Sequence, residues 1–277
     1  MREQYDLAFS LGFGCGCSKA LRQAGLQYVS FPMDWIGVKS ALAAAQIVAS
    51  DFAGWLDRDA LRLIDVRRDD ERVQRSYVND RTGIVFTHDF PYELGFNEAH
   101  AAAKRKYDRR IARLLKAISS SRRVLAVHVE HPVHDRARDE DLIRAHDVLT
   151  ARFPGVEVDL LYFFHRDGAT DCPVKAVADG VTAVPCPYLK YDDYGWVSHG
   201  IETDGICRYL KEHVEVADYR TEEERRQFAE RVRTRTGDCF GRGLHRLIVR
   251  WQYRLYRKIG RDLKRKGILP RERPFWF

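Results

Sequence analysis

The sequence predicts an α/β protein in which helices cover a mostly parallel sheet and a helical appendage follows at the C-terminal end. The first observation is a strand–helix–strand unit made by Val124 to Val129, Asp139 to Phe153 and Val156 to Phe164. The second is that these strands carry mainly apolar residues in continuous runs, which is typical of strands covered on both faces. We therefore expect an α/β domain over residues 1–220 and a basic helical extension over residues 221–277.

The first strand and the turn after it organise the chain. Tyr5 to Phe9 is mostly apolar, glycines follow at positions 12, 14 and 16, and a helix can continue from Ser18 to Gln23. This pattern places Cys15 at or just before a helix N-terminus. Unpaired N–H groups and the helix dipole stabilise a thiolate at such a position, so Cys15 is a candidate nucleophile.

The glycines of this turn are compatible with two further roles. Gly12-x-Gly14-x-Gly16 after a strand is also typical of a loop that binds phosphate. The protein would then be a nucleotide- or phosphate-binding module, for example in a surface-polysaccharide pathway. The pattern lacks the acidic residue that follows about 20 residues later in dinucleotide-binding folds. The glycines also simply permit a tight turn from strand to helix.

An extended segment, Tyr28 to Trp35, carries a carboxylate among apolar neighbours. Pro32 disfavours a helix in this segment. A carboxylate in such surroundings usually has a partner, so Asp34 either caps a helix from Lys39 to Ala49 or takes part in the chemistry. Asp51 is expected to cap a short helix after it.

A β-hairpin is predicted by Tyr77 to Asn79 and Ile84 to Phe86, and the highly charged stretch before it is expected on the surface. Directly after the second strand come His88 and Asp89, at a position where functional side chains are held on a rigid support. A long helix then starts at Asn97, and its basic residues between positions 104 and 110 are expected to be largely solvated.

A cysteine hydrolase needs a thiolate, an imidazole that pairs with it, and a third group that orients the imidazole. Cys15 can supply the thiolate and His88 the imidazole. Asp34 is a candidate for the third group, and Asp89 is another only if the strand turns there, since neighbouring strand residues point to opposite faces. Cys17 lies nearly opposite Cys15 around a helix and is expected to pack as a small apolar residue.

A metal site is not favoured. His128, His131 and His134 recur at a spacing of three along extended chain, which alternates their faces, and Pro132 breaks any helix. No CxxC pair is present. We predict no metal and no other cofactor.

The composition of the chain indicates the cellular compartment in which the protein is expected. No apolar run approaches the roughly 20 residues that span a bilayer. The N-terminal residues reach Asp6 without an apolar signal region, and six scattered cysteines are typical of reduced thiols in the cytosol. We expect a cytoplasmic protein that is either free or peripheral to a membrane.

The formal charge of +7 is concentrated near the C-terminal end. A helix from Gly241 to Lys266 combines an apolar stripe with an arginine face, which includes Arg246, Arg250, Arg254, Arg257 and Arg261. We expect the stripe to dock on the domain and the arginines to stay free for an acidic partner or an anionic membrane surface. Nucleic acid is not expected, because no nucleic-acid-binding motif accompanies this helix.

Four motifs together resemble a bacterial family of papain-like cysteine peptidases, the DUF1796 domain family, over roughly residues 5 to 200. They are Ser10-Leu11-Gly12-x-x-Cys15-x-x-Ser18, Phe31-Pro32-Met33-Asp34-Trp35, His88-Asp89-Phe90 and Tyr107-x-Arg109-Arg110-Ile111, with Met33 in place of the family's phenylalanine. The resemblance implies that Cys15 is the nucleophile and His88 the base. It leaves the substrate open, because an amide, an ester and a thioester are equally compatible. Papain-like enzymes pair a helical lobe with an antiparallel barrel, which differs from the parallel sheet that the strand pattern predicts.

Overall fold

The computed structural model describes residues 2–12, 14–69, 72–130, 137–165, 173–186 and 202–217, together with Glu222, Glu223 and Arg226. The chain divides into two units, Met1–Ala217 and Asp218–Phe277. The elements described below belong to the first unit. The predicted basic helix from Gly241 to Lys266 lies outside the described residues.

The described elements follow one another along the chain. The strands are β1 (Glu3–Tyr5), β2 (Leu7–Ser10), β3 (Ile36–Gly37), β4 (Leu61–Asp69), β5 (Arg72–Asn79), β6 (Val85–Pro91), β7 (Arg123–Val129), β8 (Glu157–His165), β9 (Lys175–Ala178), β10 (Val181–Cys186) and β11 (Val214–Val216). The helices are α1 (Gly14–Gln23), α2 (Ala41–Ala49), α3 (Phe96–Ser119), α4 (Asp139–Arg152) and α5 (Glu202–His213). Short 3₁₀ helices lie at Pro32–Trp35 and Arg58–Ala60.

The central sheet has the strand order β2-β7-β8-β10-β9, and only β9 runs antiparallel to its neighbour. The predicted unit of β7, α4 and β8 is confirmed. Val124 and Ala126 of β7 pack in a core that includes residues of α2, α3 and α4, whereas Leu125 and Val127 pack with residues of α1 and α5. Because both faces of the strand are covered by helices, its sequence is apolar apart from Arg123 and His128.

A second, antiparallel sheet has the order β3-β6-β5-β4. The predicted hairpin is confirmed by the pairing of β5 with β6, and Gly83 in its turn has a φ of +71°. The charged stretch before it forms β4 and most of β5, which the sequence did not predict. An antiparallel strand needs to bury only one face, so alternating charged residues do not exclude it. The expectation of a mostly parallel sheet therefore holds for the central sheet and for the two-stranded parallel pairing of β1 with β11, but not for this second sheet.

Three predicted helix starts were wrong. Helix α2 is capped by Ser40, whose hydroxyl accepts a 3.2 Å hydrogen bond from the backbone N–H of Ala43, and not by Asp34. Asp51 starts no helix, because it lies in a turn with a φ of +53°. Helix α3 begins at Phe96 after Gly95 and therefore starts before Asn97.

No helix within the described residues is both long enough and apolar enough to cross a membrane.

Candidate active site around Cys15 and Asp34

Gly12 controls how the chain leaves β2. Its φ is +95°, a left-handed conformation that favours glycine, and a Cβ on it would lie 2.7 Å from Val38 Cγ1. Its N–H donates a 2.9 Å hydrogen bond to the Ser10 hydroxyl. The geometry of this turn explains why a glycine stands at position 12, and no phosphate ligand is needed to explain it. The turn directs the chain into α1, which begins at Gly14, so Cys15 belongs to the first turn of that helix.

Cys15 therefore follows the carboxyl end of β2, a strand of the parallel sheet. In open α/β sheets, ligands bind outside the carboxyl ends of the strands. Next to Cys15, a Cβ added at Gly16 would have no heavy atom of the described residues within 4 Å, its own helix backbone and chain neighbours aside. The backbone position agrees with the helix N-terminus that the sequence predicted.

Cys17 packs as predicted. Its side chain is fully buried against β7, and its Sγ lies 3.3 Å from the carbonyl oxygen of Val127. Burial raises the pKa of the Cys17 thiol to about 12, and burial likewise raises the pKa of Cys186 to about 12. Neither thiol is suited to act as a thiolate nucleophile near neutral pH.

Asp34 is fully buried in the 3₁₀ helix, and its carboxylate accepts hydrogen bonds from three residues. Gln27 Nε2 lies 3.0 Å and 2.8 Å from its two oxygens, the backbone N–H of Phe31 donates at 2.8 Å, and Arg22 Nη2 lies 3.1 Å away. Burial raises the pKa of Asp34, and these donors oppose that shift. The carboxylate ties the segment after α1 to the end of that helix.

The contacts of Ser18 connect α1 to this segment. Its hydroxyl donates a 2.8 Å hydrogen bond to the backbone carbonyl of Asp34, and Ser18 follows Cys15 by three residues, or about one helical turn. The 3₁₀ helix leads into β3, where Ile36 pairs with Phe86 of β6. His88 lies two residues beyond Phe86 on β6.

His88 and Asp89 were predicted to follow the second hairpin strand, but β6 continues to Pro91, so both residues lie within it, in different surroundings. The side chain of His88 is exposed, whereas Asp89 is buried. The Asp89 carboxylate accepts a 2.7 Å hydrogen bond from the Tyr107 hydroxyl and pairs with the Lys106 ammonium group, both from α3. The roles proposed for His88, Asp89 and Asp34 in catalysis stay predictions.

The sequence did not single out a buried carboxylate that lies just beyond the end of β7. Glu130 Oε1 accepts a 2.6 Å hydrogen bond from the Tyr162 hydroxyl, and the His128 ring stacks on the Tyr162 ring with a centroid distance of 6.0 Å. A glutamate directly after an apolar run was the signal available in the sequence. His131 and His134 lie outside the described residues, and the described part of the chain contains no group of three or more histidine, cysteine or carboxylate residues that could hold a metal ion.

Comparison with known protein families gives a match. A family model described as "Putative papain-like cysteine peptidase (DUF1796)" matches residues 6–168, a range that includes Cys15, Asp34, His88 and Asp89. No curated protein and no solved structure matches the chain. Because the family match covers more than half of the 277 residues, the protein belongs to the DUF1796 family.

Proposed function

We propose that the protein is a cysteine hydrolase or acyl transferase in which the Cys15 thiolate attacks a carbonyl carbon. The observation that carries this proposal is the position of Cys15 in the first turn of α1, directly after a strand of the parallel sheet. The first N–H groups of a helix have no acceptor within the helix, and its dipole favours negative charge there. The family match supports the same reaction class.

The reaction follows from the chemistry of these groups. The thiolate attacks the carbonyl carbon, and negative charge develops on the carbonyl oxygen, where backbone N–H groups at the start of α1 can stabilise it. The imidazolium of His88 then protonates the leaving amine, alcohol or thiol as its bond to carbon breaks. Water, or a second nucleophile, attacks the resulting thioester and regenerates the thiolate.

Asp34 and Asp89 serve this proposal as positioning residues. Asp34 accepts hydrogen bonds from Gln27, Phe31 and Arg22, which holds the segment that leads from α1 to β3. Asp89 is held by two residues of α3 and so anchors the part of β6 that carries His88. Both carboxylates thereby support the relative position of α1 and β6.

Alkylation with iodoacetamide at pH 7 tests the proposal, with peptide mass spectrometry to assign each labelled cysteine. We expect Cys15 to react at least about tenfold faster than Cys17 and Cys186, since only the thiolate is reactive. Replacement His88→Gln should slow the labelling of Cys15. The control His213→Gln, on the exposed end of α5, should leave the rate unchanged.

A chemical substrate gives the second measurement. With p-nitrophenyl acetate, the protein should release p-nitrophenolate and carry an acetyl group on Cys15, and Cys15→Ala should abolish both signals. Equal alkylation of all cysteines in the native protein, or acetylation at another residue, would remove the basis for the proposal.

A further inference from the structure

A group of basic side chains lies near the buried carboxylates of Asp34 and Asp89. Lys106, Arg110 and Arg113 are spaced at i, i+4 and i+7 on α3, so they share one side of that helix. Arg22 of α1 lies against the same segment, because Arg22 Nη2 donates a 2.9 Å hydrogen bond to the Ser30 hydroxyl while Arg113 Nη1 donates a 3.1 Å hydrogen bond to the Ser30 carbonyl. Arg22 of α1 and Arg113 of α3 therefore both contact the segment at Ser30.

Arg110 is half-buried in this group. Its guanidinium lies over the ring of Tyr107, 5.6 Å from the centroid, and its Nη1 is buried without a hydrogen-bond partner among the described residues. Burial lowers the pKa of Arg110, the nearby Arg22 and Arg113 lower it further, and Asp34 acts in the opposite direction. A buried cationic donor without an acceptor is costly, so an anion at this position would be stabilised.

The carboxylates nearby are already paired. Asp34 accepts from Arg22, and Asp89 pairs with Lys106. Arg110 and Arg113 have no carboxylate partner among the described residues. Arg113 donates a hydrogen bond to the Ser30 carbonyl, which is a neutral group. Positive charge therefore exceeds negative charge here.

We propose that Arg22, Arg110 and Arg113 form a binding site for an oxyanion, the carboxylate or phosphate group of a small ligand. A guanidinium presents its N–H groups as a fork that binds either group through two parallel hydrogen bonds. The site is open to solvent, since the side chain of Arg22 is 34% exposed and Arg113 is exposed.

This site extends the proposed function. Cys15, Ser18 and Arg22 are spaced at i, i+3 and i+7 on α1, and seven residues of helix span about 10 Å. A substrate whose anionic end binds Arg22 could therefore place its carbonyl group near Cys15. Placement of a substrate carbonyl near Cys15 rests on the proposed function. Binding of the anion to the arginines does not require the Cys15 thiol.

Titrations followed by NMR test the site in the full-length protein, with methyl phosphate, acetate and sodium chloride added separately at matched ionic strength. The Trp35 indole N–H is a suitable reporter, because the Arg22 guanidinium lies 5.4 Å from the centroid of its ring. We expect saturable binding of methyl phosphate or acetate, and the tighter of the two identifies the ligand group. Arg110→Gln and Arg113→Gln should each weaken binding by about tenfold or more.

Arg109→Gln is the matched control, because it removes the same charge from an exposed neighbouring position of α3 and should change the affinity by less than about twofold. Arg113→Gln alters an exposed side chain, so its result does not depend on tolerance of a change at Arg110. Equal responses to chloride and to the oxyanions, or an equal loss with Arg109→Gln, would overturn the proposal. Cys15→Ala should bind as the unmodified protein does, which separates this site from the hydrolase.

Discussion

Ser18 on α1 donates a 2.8 Å hydrogen bond to the backbone carbonyl of Asp34, a residue 16 positions later in the chain. The bond joins the second turn of the helix that carries Cys15 to the 3₁₀ helix Pro32–Trp35. The carboxylate of Asp34 in turn pairs with Arg22 at the end of the same helix. The middle and the C-terminal end of α1 are therefore held to one short segment, which fixes the direction of the helix that carries Cys15.

The buried carboxylate of Asp34 should be necessary for stability. Asp34→Asn keeps one acceptor oxygen but turns an NH₂ group toward donors of Gln27, Phe31 and Arg22. We expect the free energy of unfolding to fall by about 3 kcal/mol, measured by urea denaturation at pH 7. Asp80→Asn, which alters an exposed ion pair, should leave the unfolding midpoint nearly unchanged. Similar midpoints for the two variants would contradict the structural role of Asp34.

Gly12 and Gly16 should respond differently to the same substitution. Gly12→Ala places a Cβ 2.7 Å from Val38 Cγ1 on a backbone with a φ of +95°, so it should lower the free energy of unfolding by about 2 kcal/mol or more. Gly16→Ala meets no neighbour within 4 Å among the residues that the structure describes, and it should stabilise α1 by about 0.5–1 kcal/mol. Thermal or urea denaturation of both variants measures the difference, and equal stabilities would show that the turn does not depend on Gly12.

The hydroxyl of Tyr107 should hold Asp89 in place. Tyr107→Phe removes the donor of a 2.7 Å hydrogen bond to a buried carboxylate and leaves Lys106 as its remaining described partner. We expect a loss of about 1–3 kcal/mol in the free energy of unfolding, because the carboxylate oxygen loses its donor while buried. Tyr92→Phe is the control, since Tyr92 is 59% exposed. If Tyr107→Phe and Tyr92→Phe both changed the free energy of unfolding only slightly, the Tyr107 hydroxyl would not be what holds Asp89 in place.

Stability should fall at alkaline pH because of the buried thiols. Burial raises the pKa of Cys17 from 9.0 to about 12 and has the same effect on Cys186. Between these values the unfolded chain loses the protons that the folded protein retains, so the stability present below pH 9 is lost as the pH rises toward 12. Each thiol contributes up to about 1.4 kcal/mol per pH unit in that window.

Urea denaturation at several pH values between 8 and 11 measures this dependence. Cys17→Ala should reduce the slope of stability against pH, and the double variant with Cys186→Ala should reduce it further. If the unmodified protein, the single variant and the double variant gave the same slope, the thiols would not be the cause of the loss of stability at alkaline pH.

Several features of this protein follow from local sequence. The apolar runs of β7 and β8 and the helix between them were predicted nearly to their ends, because continuous apolar strands and helix boundaries depend on neighbouring residues. The position of Cys15 at a helix start follows from the strand and glycines around it. Cys17 was predicted to face inward for the same reason, since helical periodicity separates it from Cys15.

Tertiary structure decided which polar side chains meet. Arg110 was expected to be solvated with the other basic residues of α3, but it is half-buried over Tyr107. Asp34 was considered as a helix cap, yet its donors come from Arg22, Gln27 and Phe31. The pairing of charged β4 with β5 was likewise missed. Periodicity shows which side of an element is apolar, but the partner of a carboxylate or guanidinium is set by how separate segments pack, and that depends on the whole chain.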